Sequence, residues 1–270
     1  MRFNRPRQVL SWSGEAWHLL ALPLVLFILV PVGMLILRST PARLLESLSS
    51  PVVLQAVQVS LQTTLVSLVW IILLGTPLAY LLGRHSFRGR RLLDMLVDLP
   101  TLLPPSVAGV ALLIAFGRRG PVGAWLESLG IQVVFTPMAV VFAQVFIAAP
   151  FYVRAATLGF AGIDPELEQA AQLDGANPWQ VFRYVILPLS RYALLSGATT
   201  SWARALGEFG ATILFAGNLP GRTQTMPTAI YLGFENNLDT AITLSVILVV
   251  ISLAALLVLK VVLTPAETRR

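Results

Sequence analysis

Long runs of apolar residues recur along this chain, and their length matches the thickness of a lipid bilayer. A helix needs about 20 predominantly apolar residues to cross the hydrocarbon core of a membrane. Six runs approach that length, at residues 19–37, 59–82, 93–116, 133–153, 187–206 and 241–263. The sequence therefore predicts an all-α integral membrane protein with six transmembrane helices.

The composition agrees with a chain that is solvated by lipid. Charged residues make up 12% of the 270 residues, whereas a soluble domain carries about 25%. The net charge is +6, but the cations lie between the apolar runs, which indicates a topology signal rather than a nucleic-acid surface. The absence of Cys excludes disulfides, thiolate metal sites and Cys nucleophiles.

The distribution of Arg and Lys predicts the orientation, because cytoplasmic loops carry an excess of positive residues. With six spans, this bias is satisfied when both termini are cytoplasmic (N-in/C-in). Residues 1–18 are then a cytoplasmic N-terminal segment, and residues 264–270 are a cytoplasmic tail. Arg118 and Arg119 lie against the bias, in a predicted outer loop.

The first apolar run, 19–37, is open to two interpretations. It follows Arg2, Arg5 and Arg7, and a basic start before an apolar run is also typical of a signal peptide. No cleavage site of small residues follows at 38–41, and the run is long for a signal peptide. We therefore expect a retained first transmembrane helix.

Two of the runs are irregular. The third carries Pro100, Pro104 and Pro105, and proline breaks helices because it lacks a backbone donor. Such backbone is tolerated at membrane depth only where protein or a water-filled cavity covers it. The fifth run is interrupted by Ser, Thr and Arg, so we expect it to face the bundle interior or a partner subunit.

The loop before the fifth run, 161–188, has clear helix signals of its own. Asp164 is a suitable N-cap, and Pro165 follows at the first helical position. Gly175 is placed to end this short helix, and the 177–180 segment begins another with a capping box. A polar helix–turn–helix of this length is marginal in water, so we expect it to pack on a partner chain.

The same loop carries a motif of several parts. Glu168 is followed by Ala170 and Ala171, then by Gly175, and after nine intervening residues by Val-Ile-Leu-Pro at 185–188. This pattern resembles the EAA loop of binding-protein-dependent ABC transporter permeases, with Val at the place where those families have Ile. The resemblance covers 55–263, and it implies the six-helix MetI-like bundle of a type I ABC importer around a coupling loop.

In that family the loop forms a coupling helix that docks in a groove of the ATPase subunit. The resemblance implies that Glu168 pairs with a cation there, and that Ala170 and Ala171 permit close approach. The residues of this chain that it assigns to the interface are Glu168, Ala170, Ala171, Leu173, Asp174, Gly175 and Ala176.

Motifs for nucleotide binding and catalysis are absent from the sequence. A P-loop requires Gly-x4-Gly-Lys-Ser/Thr, and the only Lys, Lys260, lies between two apolar residues. We therefore expect no catalytic residue, no metal site and no cofactor bound by this chain. ATP and Mg²⁺ would be bound by a separate ATPase chain.

Charges within the fifth run and beyond it mark a second candidate site. Arg204 and Glu208 are four residues apart and so share one helix face. They fit either a translocation path or an ion pair that locks the helix, because intramembrane charges serve both ends. Thr200, Gly207 and Gly210 complete the candidate path or gate, and the glycines would permit close helix approach.

The following segment points to a substrate class. Gly-Glu-Phe-Gly-Ala at 207–211 occurs in both molybdate and sulfate permeases, whereas Thr-Gln-Thr-Met-Pro at 223–227 with Ala229 and Tyr231 resembles the molybdate branch. The resemblance implies a homodimer in a bacterial inner membrane. Its partners would be two ABC ATPase subunits and an extracytoplasmic oxyanion-binding protein that delivers the anion.

Three alternatives remain open from the sequence. Sulfate, thiosulfate or tungstate would keep the transporter class and change the cargo. An ion-coupled secondary transporter would show an inverted repeat with broken helices in both halves, and the sixth run has no clear counterpart of the prolines in the third. A scaffold or sensor that transports nothing is the third alternative.

Overall fold

The computed structural model describes residues 14–39 and 41–263, and the elements within them are helical. The helices are α1 Gly14–Arg38, α2 Pro41–Leu48, α3 Pro51–Arg84, α4 Arg90–Leu102, α5 Pro105–Phe116, α6 Pro121–Ser128, α7 Pro137–Ala161, α8 Pro165–Leu173, α9 Pro178–Val181, α10 Leu187–Leu206, α11 Gly210–Phe215, α12 Met226–Asn236 and α13 Leu238–Leu263, with a π-helical turn at Phe182–Ile186. The basic residues expected before residue 14 and the tail at 264–270 lie outside the described residues.

Within the described part of the chain, four helices are long and apolar enough to cross a membrane. They are found at His18–Arg38, Pro51–Arg84, Pro137–Ala161 and Leu238–Leu257. The pair α4 and α5 meets the same test only when the two helices are counted together. The fifth predicted span exists as α10, but its polar composition keeps it out of this set. The fold is therefore all-helical, with four apolar spans or five if the pair is one.

The third predicted span, 93–116, is broken into two helices, as its prolines predicted. The chain bends by 114° between α4 and α5. Leu103 and Pro104 have extended backbone angles at the bend, because a proline disfavours the helical conformation of the residue before it. Pro105 then begins α5 at a position where a missing N–H costs nothing.

The other predicted spans are found as helices; the fifth coincides with α10, and the remaining ones have shifted ends. The fourth begins at Pro137 rather than 133 and continues to Ala161, and the second extends outward to Pro51. In both cases proline occupies the first turn, which the apolar runs alone did not indicate. The short helices α2, α6 and α12 were not predicted, since none has the length of a span.

Helix α7 lies at the centre of the fold, packed along α3 on one side and α10 on the other. Two apolar clusters extend along it, one with α3 and α10 and one with α5 and α11. A third cluster joins α3, α12 and α13. Helix α1 is different, because none of its apolar membrane window is buried.

Helix α3 also carries a polar edge, which we call the α3 hydroxyl stripe. It consists of Ser60, Thr63, Thr64 and Ser67, and all four are buried. Ser67 Oγ donates to Gln144 Oε1 of α7 at 2.8 Å. The indole N–H of Trp202 in α10 donates to the stripe at 3.1 Å, and the backbone N–H of Met226 in α12 does so at 2.7 Å. The stripe thus bonds α3 to three neighbouring helices.

Candidate functional site

The predicted N-terminus of the loop helix α8 is confirmed. Asp164 has an extended backbone, and its Oδ1 accepts the backbone N–H of Glu166 at 3.0 Å. Pro165 takes the first helical position, where its lack of an N–H costs nothing. The acidic first turn suits the positive end of the helix dipole. Helix α8 therefore begins where its own sequence requires.

The C-terminus of α8 closes at Gly175, as predicted. Its φ of +89° is in the left-handed region that glycine adopts without strain. The N–H of Gly175 donates to Gln172 O and the N–H of Ala176 to Ala171 O, each at 3.0 Å. These two bonds form a Schellman motif, which satisfies carbonyls that the ending helix would leave free.

The second loop helix begins at the predicted capping box. Asn177 Oδ1 accepts the N–H of Gln180 at 2.9 Å, and Gln180 Oε1 accepts the N–H of Asn177 at 2.8 Å. The loop assignment 161–188 implied that this helix ends before Pro188, but it does not end there. It continues through the π-helical turn into α10, because the wider turn accommodates a proline that would clash with the carbonyl four residues earlier.

The residues assigned to the coupling interface divide between two faces. Leu173 is 89% exposed, and Ala170, Asp174 and Gly175 are exposed beside it. Ala171 and Ala176 instead pack against the apolar cluster around α7. Of the two alanines expected to permit close approach of a partner, only Ala170 lies on the open face.

Glu168 forms an ion pair within the chain. The cation that pairs with its carboxylate is Arg84, the last residue of α3, in the same chain. Arg84 Nη1 donates to Phe160 O at 3.2 Å and to Ile163 O at 2.7 Å, at the end of α7. We call this four-residue arrangement the Arg84 junction. The pairing of Glu168 with a cation of an ATPase stays a prediction.

A second ion cluster, which the sequence analysis missed, joins α7 to α4. Arg154 Nε donates to Asp98 Oδ1 and Arg154 Nη1 to Asp94 Oδ1, each at 2.6 Å. Asp94 and Asp98 are four residues apart and share one helix face, which is the signal that could have been read. Their partner, Arg154, lies 60 residues from Asp94 and 56 from Asp98 along the chain, which no local pattern indicates.

The second candidate site brings Arg204 and Glu208 into contact. Arg204 Nη1 lies 3.0 Å from Glu208 Oε2, and Glu208 Oε1 accepts the backbone N–H of Ala211 at 2.8 Å. The side chain of Glu208 is 1% exposed, whereas that of Arg204 is 32% exposed. The pair therefore has a buried anion that ties α10 to α11 and a cation that remains partly accessible.

The three remaining candidates near this pair have different surroundings. A Cβ on Gly210 would lie 2.6 Å from Pro105 Cβ, so α11 and α5 meet closely there as predicted. A Cβ on Gly207 would lie 3.8 Å from its nearest neighbour, the carbonyl oxygen of Ala203, so close approach is not its role. Thr200 is exposed, and its hydroxyl donates to Ser196 O of its own helix.

The segment that favours the molybdate branch lies inside the protein. Thr223, Gln224 and Thr225 are each at most 1% exposed. Thr225 and Thr228 form a capping box that begins α12. These side chains order the backbone of the segment. Among residues 14–39 and 41–263, no group of three or more His, Asp or Glu side chains is placed to hold a metal ion.

Comparison with known proteins gives consistent matches. The family profile described as "Binding-protein-dependent transport system inner membrane component" matches residues 75–265. The chain is 39% identical over 244 residues to the "Molybdenum transport system permease protein ModB" of Mycobacterium bovis, covering 90% of this chain and 92% of that protein. It is 34% identical over 254 residues to the "Probable sulfate transport system permease protein cysT" of Nephroselmis olivacea, covering 93% and 88%.

A solved structure supports the fold. It is described as a bacterial ABC transporter involved in the import of the acidic polysaccharide alginate. One of its chains superposes with a TM-score of 0.69, covering 91% of this chain and 94% of that one. At 19% sequence identity this likeness concerns the fold alone.

Proposed function

The chain belongs to the family of binding-protein-dependent transport system inner membrane components, and we propose that it is the permease subunit of an ATP-driven importer for molybdate. The observation that carries the transporter class is α8. This helix is capped at both ends, has no buried residue and presents Leu173 at 89% exposure. An ordered helix with an open apolar face, between two long helices, fits a docking element for a partner.

The partner of α8 in this proposal is an ABC ATPase. The sequence has no P-loop, so ATP and Mg²⁺ belong to the ATPase chains and this subunit binds no cofactor. Two permease chains and two ATPase chains assemble, and an extracytoplasmic binding protein delivers the anion. The exposed residues Ala170, Leu173, Asp174 and Gly175 form the contact, while Ala171 and Ala176 hold α8 on its own core.

The proposed topology has six spans with both termini in the cytoplasm of a bacterial cell. The α4–α5 pair counts as the third span and α10 as the fifth. Broken backbone at membrane depth is tolerated only under cover, and Pro104 and Pro105 at the 114° bend are exposed in this chain. In the proposed assembly the second permease chain or the water-filled path covers them. The polar face of α10 avoids lipid by facing the path or the second permease chain.

Arg204 and Glu208 contribute to the translocation path with unequal roles. Glu208 is buried and anchors the end of α10 through Ala211. Arg204 is partly accessible, so its guanidinium can attract an oxyanion while Glu208 keeps the net charge near zero. The exposed Thr200 lies on the same helix and the exposed Gly207 directly follows it, and they leave the surface beside Arg204 polar and uncrowded.

Molybdate is favoured over sulfate as cargo by the relatives. Identity is higher to the molybdenum relative, at 39%, than to the sulfate relative, at 34%, over similar lengths. Sulfate or thiosulfate transport is therefore the second candidate. Tungstate is nearly isosteric with molybdate, so a permease for one is expected to accept the other.

Reconstitution in liposomes tests the proposal. The chain is combined with an ATPase and an oxyanion-binding protein, and uptake of molybdate is followed with and without ATP. We expect uptake only with ATP, and competition by tungstate but not by sulfate at equal concentration. Uptake that persists without ATP would overturn the importer class, and stronger uptake of sulfate would overturn the cargo.

A further inference from the structure

The Arg84 junction gathers three parts of the fold around one guanidinium. Arg84 ends α3, Phe160 and Ile163 lie at the end of α7, and Glu168 lies in α8. The side chains of Arg84 and Glu168 are 10% and 19% exposed, so the ion pair is largely shielded from water. A shielded pair is screened little by salt, and a guanidinium has the planar geometry that such multiple contacts need.

The junction also bonds α8 to α3, which is distant from it along the chain. Helix α8 has no buried residue, and the half-buried Ala171 in it and Ala176 after it pack against the core. Glu168 is the side chain of α8 that is bonded to α3. A force applied to α8 reaches α7 directly through the backbone of residues 162–164, and it reaches α3 through the Glu168 carboxylate and the Arg84 guanidinium.

Helix α3 leads from this junction to the far side of the fold. Its 34 residues run to Pro51, and the α3 hydroxyl stripe bonds it on the way to α7, α10 and α12. At the stripe, Ser60 accepts the N–H of Met226, in the buried segment that begins α12. One helix thus has a charged contact with α8 at one end and ordered contacts with the 223–228 segment towards the other.

We infer that Glu168 and Arg84 form a relay that makes α3 move with α8 and with the end of α7 when the ATPase moves α8. The inference rests on the proposed function and deepens it. Glu168 is then a positioning residue that acts through Arg84.

The test is a double-mutant cycle in the reconstituted transporter with its ATPase and binding protein. The variants are Arg84→Gln, Glu168→Gln and the pair together, and the matched control is Glu166→Gln, an exposed carboxylate of the same helix. The readout is the molybdate imported per ATP hydrolysed. A residue that matters only for folding lowers transport and hydrolysis together, so this ratio separates relay from stability.

We expect each single variant to lower the ratio roughly 10-fold, a coupling of ordinary size for linked sites. The double variant should be no worse than the poorer single variant, because both remove one contact. Glu166→Gln should keep the ratio, and every variant should still copurify with the ATPase. Independent, multiplying losses, or loss of ATPase binding with Glu168→Gln alone, would overturn the relay.

A second measurement keeps the relay separable from the cargo and the transporter class. Hydrogen exchange is compared for 161–176 and for the end of α3 in the permease alone, in lipid nanodiscs. We expect Arg84→Gln and Glu168→Gln to raise exchange in the same amides by the same factor, and Glu166→Gln to leave it unchanged. If wild-type liposomes import no molybdate while this pattern holds, the proposed function fails and the junction stands. If the two variants change different amides, the junction fails.

Discussion

The Arg84–Glu168 and Arg204–Glu208 pairs have similar chemistry but join very different amounts of the chain. The first connects residues 84 apart in sequence and holds three elements together. The second lies within one helical turn and adds one bond, to the backbone N–H of Ala211. A pair between elements can pass a displacement from one to another, whereas a pair within a turn mainly fixes a helix end. The comparison assigns motion to the first and local order to the second.

Burial ranks the two ion pairs in the opposite order for their effect on stability. Glu208 is 1% exposed and Glu168 is 19% exposed. A charge left unpaired costs more the less water can reach it. The Arg204–Glu208 pair, which joins less of the chain, is therefore expected to lose more stability when its cation is removed.

Arg204→Met should have the largest effect on stability. It leaves the carboxylate of Glu208 buried without a cation, and breaking a buried pair costs about 3–5 kcal/mol. The free energy of unfolding, measured by circular dichroism during SDS titration in mixed micelles, should fall by that amount. Adding Glu208→Gln should recover most of the loss, since the amide oxygen of a glutamine side chain can still accept the N–H of Ala211. An Arg204→Met single variant as stable as wild type would contradict the assignment.

Arg84→Met should come second, with a local effect. It removes two bonds to carbonyls and one ion pair from a partly hydrated site, and bonds of charged groups contribute about 1.5–3 kcal/mol each. We expect a net loss of about 2 kcal/mol that appears as loosening of 161–176 rather than as global unfolding. Limited proteolysis of that loop measures it. Arg90→Met, at an exposed position, is the control, and equal cleavage in both variants would remove the contrast between local and global effects.

Gly210→Ala tests the packing of α11 on α5 beside the buried Arg204–Glu208 pair. Its Cβ would meet Pro105 Cβ at 2.6 Å, and neither proline nor the start of α11 can yield easily. Overpacking of this kind costs about 2 kcal/mol. Thermal unfolding in detergent should show the loss. Gly207→Ala is the matched control, because its nearest neighbour would be 3.8 Å away and its φ of −86° suits any residue; it should change stability by less than about 0.5 kcal/mol.

Gly175→Ala, in the loop that the Arg84 junction holds, should have the smallest effect on stability. Nothing lies within 4 Å of the added Cβ, so the cost is the left-handed backbone alone, about 1 kcal/mol. Hydrogen exchange at 172–176 should increase while thermal unfolding hardly changes. Gly175→Asn, which tolerates this conformation better, should lie between wild type and alanine. A larger loss for Gly175→Ala than for Gly210→Ala would reverse the ranking.

The features that the sequence predicted well are local. The caps at Asp164, Gly175 and Asn177 depend on residues two to five positions away, and each is found where the pattern placed it. The spacing of Arg204 and Glu208 placed them on one face, and they are in contact. In each case the partner lies within the reach of one or two helical turns.

The features that it missed depend on distant parts of the chain. Nothing local distinguishes Arg84 from the other cations of its loop, and its partner is 84 residues away. Prolines marked irregular backbone but not its form. At Pro104 the chain turns sharply, whereas at Pro188 the helix continues through a wider turn. The difference arises from what packs around each proline, which a single sequence does not display.

The π-helical turn at Phe182–Ile186 sets an angular phase between the loop and the membrane. A π turn holds one more residue than an α turn, so side chains before it are offset by about 100° from the positions they would have on a continuous α-helix. The orientation of Trp179 and the loop helices about the helix axis is therefore set independently of the orientation of α10. Deleting one residue there would rotate the docking face around the helix axis and leave the membrane contacts of α10 in register. The turn therefore sets the angle about the helix axis between the surface that a partner contacts and the helix that moves with it.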